Sequence, residues 1–550
     1  MFVWLLQRND TGTRRKLHFT ALLVSTGAKS SILYCFCFRI FRPAATKSHF
    51  PDAIVGLTGF FLTDAKLLIS TFHDKSNMLS VCPCWVLGAL VDEILVGDSV
   101  LSSFSMLSSD CRSSCRGCRA MELLRVAVIG AGAAGLCAAR HVLSRPERFA
   151  PPVVFELTAD VGGTWRYQER VGPDVRCSMY KNLRTNLPKE VMMFPDFPFD
   201  PQLNSFLSHQ DVRRYLEDYC RRYRIRPHIK FRSAVEEVKP VAMTTEDAEN
   251  GTRTTWEVTA CDASGCRTTA TFDAVFVCSG HYSEPNVPSV PGLENFKGRV
   301  LHSHSYRSAE AFSSRSVVVL GAKASGVDIS LELAKAGAQV TLSHRGPPLA
   351  AALPDGIRQS SPPVAVQDDG RICFQDGSVR AADVLLFCTG YNFSFPFLDG
   401  GRLGLELEEQ LVAPLYRFMM PPAFPSLVFI GLCKSICPFA NFHCQVQFAL
   451  GALAGSPALP SRAQMAAEAR LALQKKVDGG AARRHLLVMG GDQWEYLAEL
   501  AADAGFSPPS PVVRSLYEEV WRQRELQPDG YRELNYRLLS DTQWQVVDTA

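Results

Sequence analysis

Beyond residue 123 the chain sets short apolar runs against helical patterning, and it does so twice. Residues 124–129 are an uninterrupted apolar run but for Arg125, the length of a strand buried in a parallel sheet. A glycine-rich turn follows, then a helix with Leu136, Ala139, Val142 and Leu143 on one face, then a second apolar strand over 153–157. The same succession returns later: a strand over 317–320, a glycine-rich turn, a helix carrying Ile329, Leu333 and Ala336, and a strand over 339–342. Each is a βαβ unit, which predicts an α/β protein with two doubly wound parallel sheets. The proline-rich stretch 284–292 between them reads as a linker, and the chain beyond about residue 460 reads as Ala-rich and helical.

The first 120 residues do not share this order. Their apolar stretches at 21–25, 54–62 and 85–91 are separated by charges such as Asp64, Lys66, Asp92 and Glu93. None reaches the roughly 18 apolar residues needed to cross a bilayer. Residues 1–6 are apolar ahead of Arg8, the reverse of a signal peptide. Met121 opens directly onto the first strand, so residues 1–120 are expected to be an alternative or over-extended start with little fixed structure.

Composition narrows the class. Of 550 residues, 47% are hydrophobic and 21% charged, with a net charge of +3, as in an ordinary globular protein. So small a charge, without interleaved basic and aromatic residues, points away from nucleic acid and from a firm membrane anchor. Seven of the 18 cysteines precede residue 120, and the rest lack a disulfide rhythm, which fits a reducing compartment. Cys111, Cys115 and Cys118 cluster without a nearby histidine, so no metal site is expected there.

The glycine turns carry the chemistry. The first reads Gly130-Ala-Gly132-Ala-Ala134-Gly135, and the second Gly321-Ala-Lys323-Ala-Ser325-Gly326. In such a loop the first glycine makes the tight turn, the second lets backbone approach a pyrophosphate, and the third lets helix pack on strand. The helix N-terminus then faces the phosphates. Glu156 closes the strand after the first loop, where a carboxylate accepts from a ribose diol. Gly163, Thr164 and Trp165 follow it, pairing close backbone with a flat aromatic wall; a tight turn with a core tryptophan is the plain alternative. After the second loop the strand ends in Ser343-His-Arg345, with no carboxylate, which suits a 2′-phosphate and so NADP over NAD. An ordinary surface arginine is the competing reading. Two such loops in one chain imply a flavin and a nicotinamide together, hence redox chemistry.

The segment between the loops adds a resemblance. Phe296-Lys-Gly298-Arg-Val-Leu-His302-Ser-His304-Ser-Tyr306-Arg307 resembles the identifying segment of flavin-containing monooxygenases. Tyr180-Lys-Asn-Leu-Arg-Thr185-Asn186-Leu-Pro188-Lys-Glu190 is similar to that family's active-site segment. Phe387-Cys-Thr389-Gly390-Tyr391 is similar to its box at the return from the NADP domain, and Phe442-His443-Cys444-Gln445 stands where the family has a Glu-x-Gln pair near the flavin. Within the family the pattern is most similar to the glucosinolate S-oxygenase branch. His443 replaces the family's glutamate and Ala309 its proline.

The resemblance implies FAD and NADP(H), with 121–286 and 391–550 forming a divided FAD-binding domain, the latter also bearing the C-terminal helices, and 287–390 an inserted NADP-binding domain. It implies reduction of FAD by NADPH, formation of a C4a-hydroperoxide with O2, and attack on it by sulfur or nitrogen of a small molecule. By similarity Asn186 is the residue beside the flavin; read without the family, an Asn before Leu-Pro is a turn former. A cytoplasmic location is expected, with peripheral attachment to the endoplasmic reticulum as the alternative. Two rival functions stay open. A Baeyer–Villiger enzyme would carry tryptophan where Tyr306 stands, and a degenerate cofactor-binding protein would explain Lys323 and His443.

Overall fold

In the computed structural model, residues 122–547 are described apart from 173–174 and 242–253, together with the backbone of strands between residues 2 and 41. The chain divides into two units, 1–118 and 119–550. In the first, Phe2–Asn9, Lys16–Gly27 and Ser30–Phe41 pair as an antiparallel meander, where little fixed structure was expected. The apolar stretch at 21–25 falls inside the second of these strands. Cys111, Cys115, Cys118 and the rest of 42–121 lie outside the described residues.

The second unit holds two five-stranded parallel sheets. Strands β1 (Val126–Ile129), β2 (Val153–Glu156), β3 (Ile229–Phe231) and β4 (Ala274–Val277) belong to the first. Strands β5 (Arg299–His302), β6 (Ser316–Leu320), β7 (Gln339–Ser343), β8 (Ile357–Ser360) and β9 (Val384–Phe387) form the second. Only then does β10 (Leu427–Phe429) return to complete the first, whose order is β10-β4-β1-β2-β3. The second sheet, ordered β5-β9-β6-β7-β8, is therefore an insertion. At its neck Glu284–Pro285 pairs antiparallel with Tyr391–Asn392.

Apolar runs form the central strands β1, β4, β6 and β9 because both of their faces are covered. In β1, Val126 and Val128 join one buried cluster while Ala127 and Ile129 join another. In β9, Val384 and Leu386 face one side, and Leu385 and Phe387 the other. The helices α1 (Ala133–Leu143), α2 (His209–Arg222), α3 (Ala324–Lys335) and α4 (Pro438–Leu453) cover these faces. The opposite face of the first sheet is covered by a meander, Ser233–Pro240, Trp256–Asp262 and Arg267–Phe272, which the apolar patterning does not predict. Beyond residue 460 the helices Arg462–Asp478, Gln493–Ala504 and Pro511–Leu526 appear as expected. The described chain ends differently, in a hairpin of Asn535–Leu538 with Trp544–Val547.

Helices α1 and α4 are joined by a buried histidine pair. His141 Nε2 lies 3.2 Å from His443 Nδ1, and Arg140 Nη1 lies 3.1 Å from His141 Nδ1. A guanidinium can only donate, so His141 Nδ1 accepts and its Nε2 carries the hydrogen given to His443. Burial pulls His141 well below its ordinary value and His443 down to about 4, with Arg140 and Arg145 adding to the effect and Asp196 opposing it at His443. An unfolded histidine titrates near 6.5, so this pair stabilises the fold above that pH and loses the contribution as pH falls toward 4. Replacing His443 with Gln keeps an acceptor for His141 and removes one such group. The loss of unfolding free energy between pH 7 and pH 5, measured by urea denaturation, should then be smaller than in the wild type, by up to roughly 1.4 kcal/mol per pH unit. Equal drops would show that His443 takes no part in the acid sensitivity.

Candidate functional site

At the end of β1 the chain turns through Gly130, whose φ is +104°. A Cβ there would sit 2.6 Å from the Cys278 carbonyl oxygen. A Cβ on Gly135 would sit 1.8 Å from the Gly130 oxygen, so α1 rests directly on the turn. Gly132 is different. Its φ of −77° and ψ of −172° suit any residue, and the demand for glycine comes from its surroundings. A Cβ on Gly163 would lie 2.9 Å from Gly132 Cα, so two backbones face each other without side chains. Ala134 is buried in the first turn of α1, and no side chain among the described residues caps that helix. Its leading N–H groups beside this bare cradle suit a pyrophosphate.

Glu156 holds the cradle in shape. Its buried carboxylate accepts from the Ala131 N–H at 2.7 Å, and from the N–H and hydroxyl of Thr158 at 2.8 and 2.6 Å. The Gly162 N–H donates to the Ala131 carbonyl at 3.0 Å, tying the 162–165 turn to the loop. Thr164 shares a 3.0 Å hydrogen bond with Ser178, and the partly buried Trp165 packs on the core beside them.

The second loop repeats the first. Gly321 has a φ of +111°, and a Cβ there would meet the Cys388 oxygen at 2.5 Å; one on Gly326 would meet the Gly321 oxygen at 1.7 Å. Lys323 has a φ of −84° and a ψ of −169°, nearly the angles of Gly132, so the replacement leaves the loop's path intact. Its side chain is exposed, and its charge joins burial in pulling Lys434 down to about 8. Ser325 follows in the first turn of α3, partly buried.

Ser343 and Arg345 part company. Ser343 is fully buried, and its hydroxyl donates to the Ser361 carbonyl at 2.7 Å. Arg345 is exposed and has no ion pair among the described residues. The expectation that both present themselves to a phosphate is thus corrected to Arg345 alone, because a serine ending a central strand turns inward. Thr389 donates to the Asn286 carbonyl, Asn286 N–H donates back to Gly390 at 2.9 Å, and Gly390, with φ +85°, borders open space. Sequence reasoning missed the twin of this segment. Cys278-Ser-Gly280 follows β4 as Cys388-Thr-Gly390 follows β9, and each cysteine carbonyl lies under its own loop's first glycine. The shared Cys-Ser/Thr-Gly after an apolar run was the available signal.

The 180–190 segment is pinned at several points. The buried Thr185 exchanges backbone and hydroxyl contacts with Leu207, its N–H donating at 2.8 Å and its hydroxyl accepting at 3.0 Å. Asn186 is half-buried, and its amide has no hydrogen bond among the described residues. Gln445 was expected near a cofactor, yet both ends of its fully buried amide are engaged by protein. It accepts from the Gly431 N–H at 3.0 Å and donates to the Tyr496 hydroxyl at 2.9 Å. Its effect on a ligand would pass through the Gly431 backbone. Cys137, His141 and His443 bring possible metal-binding atoms within 4.8 Å of one another. With Arg140 donating to its Nδ1, His141 holds a hydrogen on Nε2, so these residues fit a hydrogen-bonded chain better than a ligand set.

Comparison with known proteins agrees with this geometry. The chain matches the Flavin-binding monooxygenase-like family over residues 124–349 and 349–550. It is 37% identical over 432 residues to flavin-containing monooxygenase FMO GS-OX5 of Arabidopsis thaliana, covering 74% of this chain and 89% of that relative. FMO GS-OX-like 4 of the same plant is 35% identical, covering 74% and 93%. Among solved structures, S-allyl-L-cysteine S-oxygenase from Allium sativum superposes with a TM-score of 0.69 at 33% identity, covering 75% of this chain and 96% of that one. Two glycine loops on two parallel sheets, the matched segments and these identities have one reading: the chain belongs to the flavin-containing monooxygenase family, oxidoreductases that use FAD, NADPH and O2 on small molecules.

Proposed function

We propose that this enzyme oxygenates soft nucleophilic centres of small molecules, sulfur in sulfides foremost and nitrogen in amines second. The observation that carries the reading is the side-chain-free cradle of Gly132 against Gly163, beside a second loop whose Gly321 and Gly326 pack as Gly130 and Gly135 do, in a chain whose relatives are named as S-oxygenases. Bound FAD supplies the electron and oxygen chemistry, with NADPH as reductant. The chain's residues supply binding and orientation. Gly130, Gly132, Gly135 and Gly163 would take the FAD pyrophosphate, and Glu156, with three of its roughly four acceptor positions filled, keeps one for a ribose hydroxyl. Gly321, Ser325 and Gly326 would take the NADP pyrophosphate, with Arg345 on the 2′-phosphate. Asn186 would orient the reacting oxygen through an amide that neither gains nor loses a proton. The described residues include no helix long and apolar enough to cross a membrane, and a cytoplasmic site of action is part of the same proposal.

The direct test incubates purified enzyme with NADPH, 18O2 and a panel of alkyl sulfides and tertiary amines. Labelled S-oxides or N-oxides support the reading; NADPH oxidised to hydrogen peroxide alone, with every substrate, refutes it. Arg345→Ala should raise KM for NADPH about ten- to a hundredfold while leaving KM for NADH near its wild-type value, since one charge-assisted contact is worth roughly 1.5–3 kcal/mol. Equal changes for the two nucleotides would place phosphate recognition elsewhere. Asn186→Leu should retain FAD and its reduction by NADPH, while oxide formed per NADPH falls and hydrogen peroxide rises. Wild-type coupling in that variant would leave Asn186 as a turn residue.

A further inference from the structure

The turn Tyr531–Glu533 lies about 200 residues from the second glycine loop and about 400 from the first, yet its arginine reaches the chain at two functional segments. Arg532 Nη1 and Nη2 donate to the two carboxylate oxygens of Asp328 at 3.1 and 2.6 Å. Its Nε donates to the Thr185 carbonyl at 2.9 Å. Asp328 stands on α3, two residues after Gly326, and Thr185 immediately precedes Asn186. Arg532 and Asp328 are both largely buried, with side chains 15% and 17% exposed. The turn is itself held: Arg184 donates to the Arg532 carbonyl at 2.7 Å and pairs with Glu533 at 2.8 Å. The Tyr531 ring lies 4.6 Å from the guanidinium, and the Tyr180 hydroxyl donates to Asp328 at 3.4 Å.

We propose that Arg532 is a positioning residue that fixes the Asn186 segment against α3, the helix that follows the second glycine turn. The inference rests on the oxygenase reading for what the two segments do. Its physical basis is the planar fork. One guanidinium holds a carboxylate with two parallel donors and keeps a third donor for the carbonyl, which a lysine ammonium on a flexible stem cannot match in direction. Through it, the loop assigned to NADP and the amide assigned to the reacting oxygen share one support, so nicotinamide binding and oxygen transfer keep a set spacing. Neither glycine loop depends on this contact for its own shape, because each is formed by its carbonyl–glycine packing.

Hydrogen exchange read by mass spectrometry tests the support without any cofactor. In Arg532→Met, amides of 182–188 and of 324–332 should both exchange roughly tenfold faster or more, with those of β1 and β4 unchanged. Asp328→Asn, which leaves no unpaired buried carboxylate, should loosen the same two segments and carries the test if Arg532→Met does not fold. In the FAD-loaded enzyme, both variants should keep their flavin, raise KM for NADPH severalfold and form less oxide per NADPH, and Arg532→Lys should recover this only in part. Unchanged exchange in a folded variant, or a rise in one segment alone, overturns the proposal. So do wild-type coupling and KM. If the wild type forms no oxide from any substrate, the oxygenase reading fails by itself, and the exchange result still decides whether Arg532 joins the two segments.

Discussion

A carbonyl oxygen pressed against a glycine shapes each loop of this protein. The Gly130 oxygen lies where any Cβ on residue 135 would be, and the Gly321 oxygen does the same to residue 326. Beneath each turn a second carbonyl, from Cys278 or Cys388, closes the space on the other side. Three backbone segments thus meet without side chains between them. The spacing of helix and strand, the aim of the helix N-terminus and the room left for a phosphate all follow from that contact. The surrounding sheet must be parallel for it to form, since the third backbone comes from the neighbouring strand of the same direction.

Much of this is legible in the amino-acid sequence itself. Strands buried on both faces announce themselves as unbroken apolar runs, and the glycine loops at 130–135 and 321–326 stand out because nothing else in the chain has that spacing. What could not be read depends on distance along the chain or on which way a residue turns. Arg532 and Thr185 are 347 positions apart, and no local pattern joins them. Ser343 and Arg345 look equivalent as letters, yet Ser343 ends a buried strand while Arg345 stands two residues beyond it in an exposed bend. Gln445 is expected near a flavin because its segment is similar to the family's Glu-x-Gln pair, whereas its amide is engaged by Gly431 and Tyr496. The meander at 233–272 escapes notice because its strands are half-exposed, with little of the unbroken hydrophobicity that marks the central strands.

The order of strands explains why the chain is divided as it is. The first sheet is left open at β4 and completed by β10 only after the whole second sheet has been built. Contacts between them therefore come from segments that belong to neither sheet: the 180–190 stretch, whose Asn182 amide donates to Glu332 at 2.8 Å, and the turn at Arg532. In this arrangement each sheet supplies one nucleotide loop, and the connecting chain sets how the two loops address each other.

Lys323 bears on how such proteins are found. Its backbone angles are those of Gly132 to within a few degrees, although a pattern written in letters treats the two as different. A search that requires glycine at all three positions would count one nucleotide loop here and file the chain among proteins with a single cofactor. Written instead as torsions, with left-handed values demanded at the first position, bare backbone at the third and ordinary extended angles between, the same query returns two.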